Sequence, residues 1–285
     1  MEEKLKEKSR AYLLLFIAVI AMGSASLIIK LTSAPPLIIA TYRLLISSVI
    51  LLFLNGRKIE HVKSSLPFLM ISGFCLGIHF YSWISALFLT SVANAVVLVN
   101  TSPIFIAIFS FIFEKKSPSK KFFLSFVFAI LGIVLITKSG LTLKIGKGEI
   151  LSIIGAITFA IYLYMGRYIS DDISVSTYIT SVYFISGVIL LFASLFLGLP
   201  FTGYTLDTYI KFLLLALVPQ LIGHSLANYA IRVLPPTSTS IVLIGETVIA
   251  TIFAVIFLHE SINSYQLLGM FMIIISILYS ASEEK

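Results

Sequence analysis

Cysteine is almost missing from this chain of 285 residues: Cys75 is the single one and it sits inside an apolar run. No intramolecular disulfide can form, the redox compartment stays unread, and Cys75 reads as a small core residue. Charge is scarce too. Only 12% of residues are Asp, Glu, Lys or Arg against 59% hydrophobic, and the mean hydropathy is +1.06, which excludes an ordinary soluble globular domain. There is no phosphate-cradling glycine loop and no ATPase signature. The four histidines, His61, His79, His224 and His259, lie in no spacing with cysteine or carboxylate that completes a metal set. Ser82 is near His79 in sequence but on another helix face, so no nucleophilic triad forms. These absences leave no cofactor, no metal and no enzyme chemistry to expect. The net charge of +7 points to no nucleic-acid partner, because the basic residues cluster between apolar runs, as in membrane topology.

What is present is a duplication. HFYSWISALFLTSVANAVVLVNTSPIFIAIFSFIF (79–113) reappears as HSLANYAIRVLPPTSTSIVLIGETVIATIFAVIFL (224–258), offset by 145 positions without a gap. His79 matches His224, Leu89 matches Leu234, Val97-Leu98 matches Val242-Leu243 and Ile104 matches Ile249. Each copy is an apolar span, a short turn, a second apolar span and a polar stretch, with one histidine deep in the first span; an internal repeat is the reading.

Segments of about 18–25 mainly apolar residues can cross a bilayer as helices. Ten are expected, at 11–31, 36–54, 66–87, 91–112, 120–138, 149–169, 175–197, 209–231, 237–257 and 264–281. Turn and charge signals separate them at Pro35-Pro36, Asn55-Gly56-Arg57-Lys58, Glu114 to Pro118, Gly146-Lys147-Gly148, Asp171-Asp172 and Pro235-Pro236. No break is long enough to hold a soluble domain. Residues 1–10, MEEKLKEKSR, read as a solvated cytoplasmic arm, too acidic for a cleaved signal peptide. With the amino terminus inside, Lys4, Lys6, Lys8, Arg10, Arg57, Lys58, Lys63, Lys115, Lys116, Lys120, Lys121, Arg167, Arg232 and Lys285 are inner; Lys30, Lys138, Lys144, Lys147 and Lys211 are outer. That bias puts both termini in the cytoplasm. Five spans, an odd number, precede the repeat boundary, so the second half enters the membrane the other way up. Inverted repeats suit a carrier that exposes a midplane site to each side in turn; a channel or a non-transporting scaffold is the alternative, although no ring of like polar residues marks a pore.

Four stretches carry a family resemblance: AMGSASLIIKL and APPLIIATYRLL in the first two spans, ANAVVLVNTSPIF in the fourth, and IGETVIATIFAVIFLHESINSYQLLG near the end. In these, nearly the whole chain resembles the drug/metabolite transporter superfamily in its EamA-like branch. Glu246 stands at the glutamate of that family's second-half "EP" pair with Thr247 in place of the proline, and His259-Glu260 stands where "GE" is usual. The first half keeps the proline as Pro103 and has Thr101 in the place of Glu246. The resemblance implies an all-α membrane protein of ten helices as two inverted five-helix repeats, here 11–140 and 145–282, around a cavity lined by the first, third and fourth helices and their mates. It implies a multi-pass protein of a cell inner or plasma membrane, monomeric or homodimeric, and names no substrate; relatives export amino acids, other metabolites or toxic compounds.

Polar residues that are costly to face toward lipid mark the candidate cavity. Gln220, His224, Asn228 and Arg232 follow at steps of four and share a face of the eighth span, as Cys75, His79 and Trp83 do on the third. Trp83, the only tryptophan, serves equally as an interfacial anchor or a cavity wall. Tyr81, Tyr162 and Asn100 complete the expected substrate-binding set, with Tyr164 as further aromatic surface. Glu246, about nine residues into its span, is the one carboxylate near the midplane at ~1.5 Å rise per residue, and there it pairs, hydrogen-bonds or takes up a proton. Arg43 is the one strong cation well inside a span; a pair with Glu246 is left open, as is snorkelling to the surface. Lys30 reads as a snorkeller. Pro103 and Pro219 are candidate hinges, and Gly73, Gly77 and Gly155 close-contact positions. The mixed lining suits a small amphipathic or zwitterionic solute, with proton coupling through Glu246 or the histidines.

Overall fold

A backbone in hydrocarbon has to satisfy its own hydrogen bonds, and among the described residues this chain does so entirely with helices. The computed structural model describes residues 2–54, 65–90, 92–137, 145–167, 173–258 and 262–282. The turn at Asn55-Gly56-Arg57-Lys58, Lys63, His61, Lys138, Lys144, Asp171-Asp172, the pair His259-Glu260 and Lys285 lie outside the described residues.

The helices are α1 (Glu2–Gly23), α2 (Ala25–Lys30), α3 (Pro36–Leu54), α4 (Leu66–Leu89), α5 (Val92–Val99), α6 (Ser102–Glu114), α7 (Lys120–Thr137), α8 (Lys147–Arg167), α9 (Val175–Phe196), α10 (Leu206–Leu215), a π-helical segment (Ala216–His224), α11 (Ser225–Val233), α12 (Pro236–Leu243), α13 (Glu246–Leu258) and α14 (Ser264–Ala281). Among the described residues nine helical runs are long and apolar enough to cross a membrane. They cover every expected span except the fifth, on which α7 falls. Residues 2–10, expected as an arm, are helical and continuous with the first span; glutamate and lysine are good helix formers, so polarity there does not end the helix.

Four spans depart from a plain helix. The first bends at Ser24, whose hydroxyl donates to Ala21 O at 2.7 Å. The fourth is split between α5 and α6, and the ninth between α12 and α13. The eighth widens into a π-helix around Pro219, which has no N–H to give to the ladder.

α4 packs against α8, α1 against the π segment and α11, α3 against α9, and α7 against α14. The last pair meets through glycines: a Cβ on Gly132 would lie 2.6 Å from Gly269 O, and one on Gly269 would lie 2.5 Å from Gly132 O. Only hydrogen fits there, as at other close crossings of membrane helices. Large apolar side chains such as Phe53, Phe196, Leu206 and Phe271 are exposed, the inside-out pattern of a chain whose outer solvent is lipid.

Candidate functional site

The two split spans set the site. At position 103 the proline ring opposes the carbonyl four residues back. Asn100 Nδ2 donates to Val96 O at 2.9 Å and Thr101 Oγ1 to Leu98 O at 2.6 Å, each sharing a carbonyl that also accepts the same residue's backbone N–H, at 3.1 and 3.2 Å. Pro103 stands in the first turn of α6 and not inside a continuous helix. The second interruption has no proline. Gly245 N donates to Val242 O at 2.9 Å and Ile244 N to Ile241 O at 3.1 Å, a tight turn. A Cβ on Gly245 would lie 3.0 Å from Val242 O, 3.1 Å from Ile277 Cδ1 and 3.2 Å from Val19 Cγ1. Under the 145-residue offset, Ile244-Gly245 falls on Val99-Asn100. Asn100 Nδ2 also lies 3.5 Å from Thr247 Oγ1, so the two interruptions touch.

Both border one cavity. α3 contributes Arg43; α4 contributes His79, Phe80 and Trp83; α8 contributes Phe159; the end of the π segment contributes His224. Val99, Asn100 and Ser102 come from the first interruption, Ser240, Leu243 and Glu246 from the second, and Met22 and Ala25 from the bend in the first span. The space open to the centre of a water molecule is about 30 Å³, against roughly 10–15 Å³ per water. As it stands the cavity admits a few waters and no metabolite.

The histidines do not touch one another, but the same two rings separate them. Phe80 lies 4.9 Å from His79 and 5.1 Å from His224; Phe159 lies 4.6 Å and 5.8 Å away (ring centroids). His79 Nδ1 is hydrogen-bonded to Gly155 O at 2.9 Å, and as a carbonyl only accepts, Nδ1 carries the hydrogen. The Trp83 ring is parallel to the imidazole at 6.2 Å.

Arg43, 1% exposed, donates from Nε to Gln220 Oε1 at 2.7 Å and lies 4.1 Å above the Phe80 ring. Glu246 lines the same cavity, yet no ion pair of 4.0 Å or less joins the two. The partner left open in the sequence is thus Gln220.

The remaining expected residues are placed outside the lining. Tyr81, expected in the substrate-binding set, is 39% exposed and absent from this cavity's wall; two residues from His79, it is turned about 200° around the helix. Gln220, Asn228 and Tyr162 are fully buried behind the wall. Asn228 Nδ2 donates to Tyr162 Oη and, at 2.6 Å, to His224 O, fixing the helix that presents His224. Arg232 Nη1 donates to Ile173 O at 2.9 Å. Pro219 is buried in the π segment. Phe80 and Phe159, which carry the histidine pair, were not expected: among 23 phenylalanines no local signal separates a wall from packing.

Beside α6, α8 and α12, on the side assigned as inner, lies a wider polar recess of about 580 Å³, bordered by Lys8, Glu114, Lys116, Arg167 and Ser238.

The EamA-like transporter family model matches residues 9–138 and 146–282. The chain is 27% identical over 245 residues to the "Uncharacterized transporter YyaM" of Bacillus subtilis (strain 168), covering 81% of this chain and 78% of that one. It is 25% identical over 277 residues to an "Uncharacterized transporter" of Archaeoglobus fulgidus, covering 92% and 93%. A protein known from a crystal structure superposes with a TM-score of 0.82 at 14% identity, over 97% of this chain and 98% of the other, a likeness of fold.

Proposed function

Because the chain belongs to the EamA-like transporter family, we propose that it is a secondary carrier that exports a small metabolite, such as an amino acid or another amphipathic compound, by alternating access around the Arg43 and Glu246 cavity. The observation that carries this reading is a small cavity at the meeting of two interrupted helices, lined by groups of both charge signs. Interrupted helices free backbone groups for a solute at the bilayer midplane, and they bend more readily than intact ones.

Two further observations support an inverted repeat. The pairing of α4 with α8 and of α1 with the π segment is the pairing produced by exchanging the halves; α3 with α9 and α7 with α14 pair like with like. Second, Lys30 Nζ, at the end of the first span, donates to Leu87 O, and Arg167 Nη1, at the end of the sixth, donates to Arg232 O. Leu87 and Arg232 are 145 residues apart, so the same helix-end contact occurs once in each half. In this reading ten spans cross a cell membrane, both termini are cytoplasmic, and the recess beside Arg167 leads to the cavity from the inside.

Proteoliposomes containing the purified protein test the function. Preloaded with single amino acids or organic cations, they are expected to accumulate the same labelled compound by counterflow, faster under a pH gradient if Glu246 carries a proton. Release of unrelated solutes without saturation would show a channel. No solute movement across the panel would contradict a carrier of these compounds.

A further inference from the structure

We propose that Arg43 is the receptor for a carboxylate on the transported solute, with Gln220 as its positioning residue. This rests on the carrier reading and names the chemical class of what the cavity takes.

The cavity holds hydrogen-bond donors that nothing in the protein satisfies. Arg43 Nη1 and Trp83 Nε1 belong to side chains that line it, and Gln220 Nε2 lies in the amide that grips the guanidinium; all three atoms are buried and without a hydrogen-bond partner. Arg43 is 1% exposed, Gln220 0% and Trp83 9%. Buried donors are rarely left unmatched, because each one loses its water and gains nothing. A buried guanidinium is the costliest of the set, since its charge is also unbalanced by any ion pair. The one carboxylate that could balance it, Glu246, borders the same space and makes no such pair.

The way Arg43 is held selects the ligand. Gln220 Oε1 takes Nε at 2.7 Å, which leaves the outer edge of the guanidinium, the edge that includes the unmatched Nη1. Its Cζ lies over the Phe80 ring, 4.1 Å from the ring centre. An arginine held at Nε and against an aromatic ring still presents a flat pair of N–H groups, and a carboxylate presents two oxygens at the matching spacing. The rings of His79, Phe80 and Phe159 adjoin this point and suit an apolar body behind the carboxylate. Glu246 then remains for a cationic group on the same solute.

Trp83 reports occupancy directly, being the only tryptophan in the chain and part of the wall. The full-length protein in lipid nanodiscs is titrated with acetate, isovalerate and leucine, and with acetamide, isovaleramide and leucinamide, while its fluorescence is followed. Within at least one pair the acid is expected to shift the emission saturably and to bind about tenfold or more tightly than its amide, the scale of a lost charge-assisted hydrogen bond. Arg43→Lys, which keeps the charge and loses the flat fork, is expected to weaken the acid and leave the amide as it was. Amides that bind as well as acids, or no response to any acid, overturn the proposal; neither outcome depends on a variant that folds. Counterflow of the same six compounds separates this from the carrier reading. Movement of amides or amines without preference for acids leaves a carrier and sinks the carboxylate receptor. Acid-selective binding with no movement of any solute keeps the receptor and sinks the carrier.

Discussion

The span that passes through Asn100 and the span that passes through Gly245 are interrupted at matching depths, but by different residues and with different charge. In the first, the break comes just before Pro103, the side chains of Asn100 and Thr101 turn back onto carbonyls of their own helix, and everything at the break is neutral. In the second, Gly245 packs where a methyl group would crowd Ile277 and Val19, and the next residue is Glu246. Under the proposed repeat the backbone feature is kept while the chemistry diverges: each half has an interruption, and one half supplies the carboxylate. The histidines tell the opposite story: His79 and His224 stayed alike, and both face Phe80 and Phe159.

Removing the charge from the second interruption is expected to have the largest effect. Glu246→Gln should lower counterflow at least tenfold, equivalent to about 1.4 kcal/mol, and should abolish acceleration by a pH gradient. Thr101→Val, at the matching position, should change the rate by less than about twofold, since it removes a hydroxyl that serves its own helix. Equal losses in the two variants would mean that the halves contribute alike, and pH-driven transport surviving Glu246→Gln would remove the coupling role. A smaller effect is expected from filling the tight turn. Gly245→Ala adds a methyl group within 3.0–3.2 Å of three atoms and should destabilise the fold by about 1–3 kcal/mol, read as a lower Tm from Trp83 fluorescence. Asn100→Ala should cost least, about 0.5–1.5 kcal/mol for its bonds to Val96 and Thr247, with transport lowered no more than stability explains. A larger loss from Asn100→Ala than from Gly245→Ala would reverse the assignment of which interruption is the more rigid.

The spans were legible because hydropathy and length suffice to mark a helix in lipid; the observed runs fall on the expected segments. Of the polar residues that stand in apolar runs, Arg43, His79, Asn100, His224 and Glu246 line the cavity, and Gln220 and Asn228 do not. Helical periodicity also placed Trp83 beside His79, and the same rule, applied strictly, turns Tyr81 away from it. Three features were hidden. The interruption at Gly245 has no proline to announce it, and the packing that would crowd a methyl group there involves Ile277 and Val19, far off in sequence. The π-helical turn at 216–224 contains a visible proline, but a proline alone does not say whether a helix kinks, breaks or widens. The grip of Gln220 on Arg43 joins residues 177 positions apart, which one sequence without partners cannot reveal. For the same reason Gln220 and Asn228 read as cavity residues while their side chains serve Arg43, Tyr162 and a helix carbonyl from behind the wall.

The central claim is that His79 and His224 line one pathway that opens to each side of the membrane in turn. With Cys75 replaced by alanine, His79→Cys and His224→Cys are each treated with a membrane-impermeant thiol reagent in right-side-out and inside-out vesicles, with and without a transported solute. The account predicts that each cysteine reacts from both faces and that solute changes the rates in opposite directions on the two faces. Full protection of both cysteines from either face in every condition would contradict it, and would return the two histidines to helix packing.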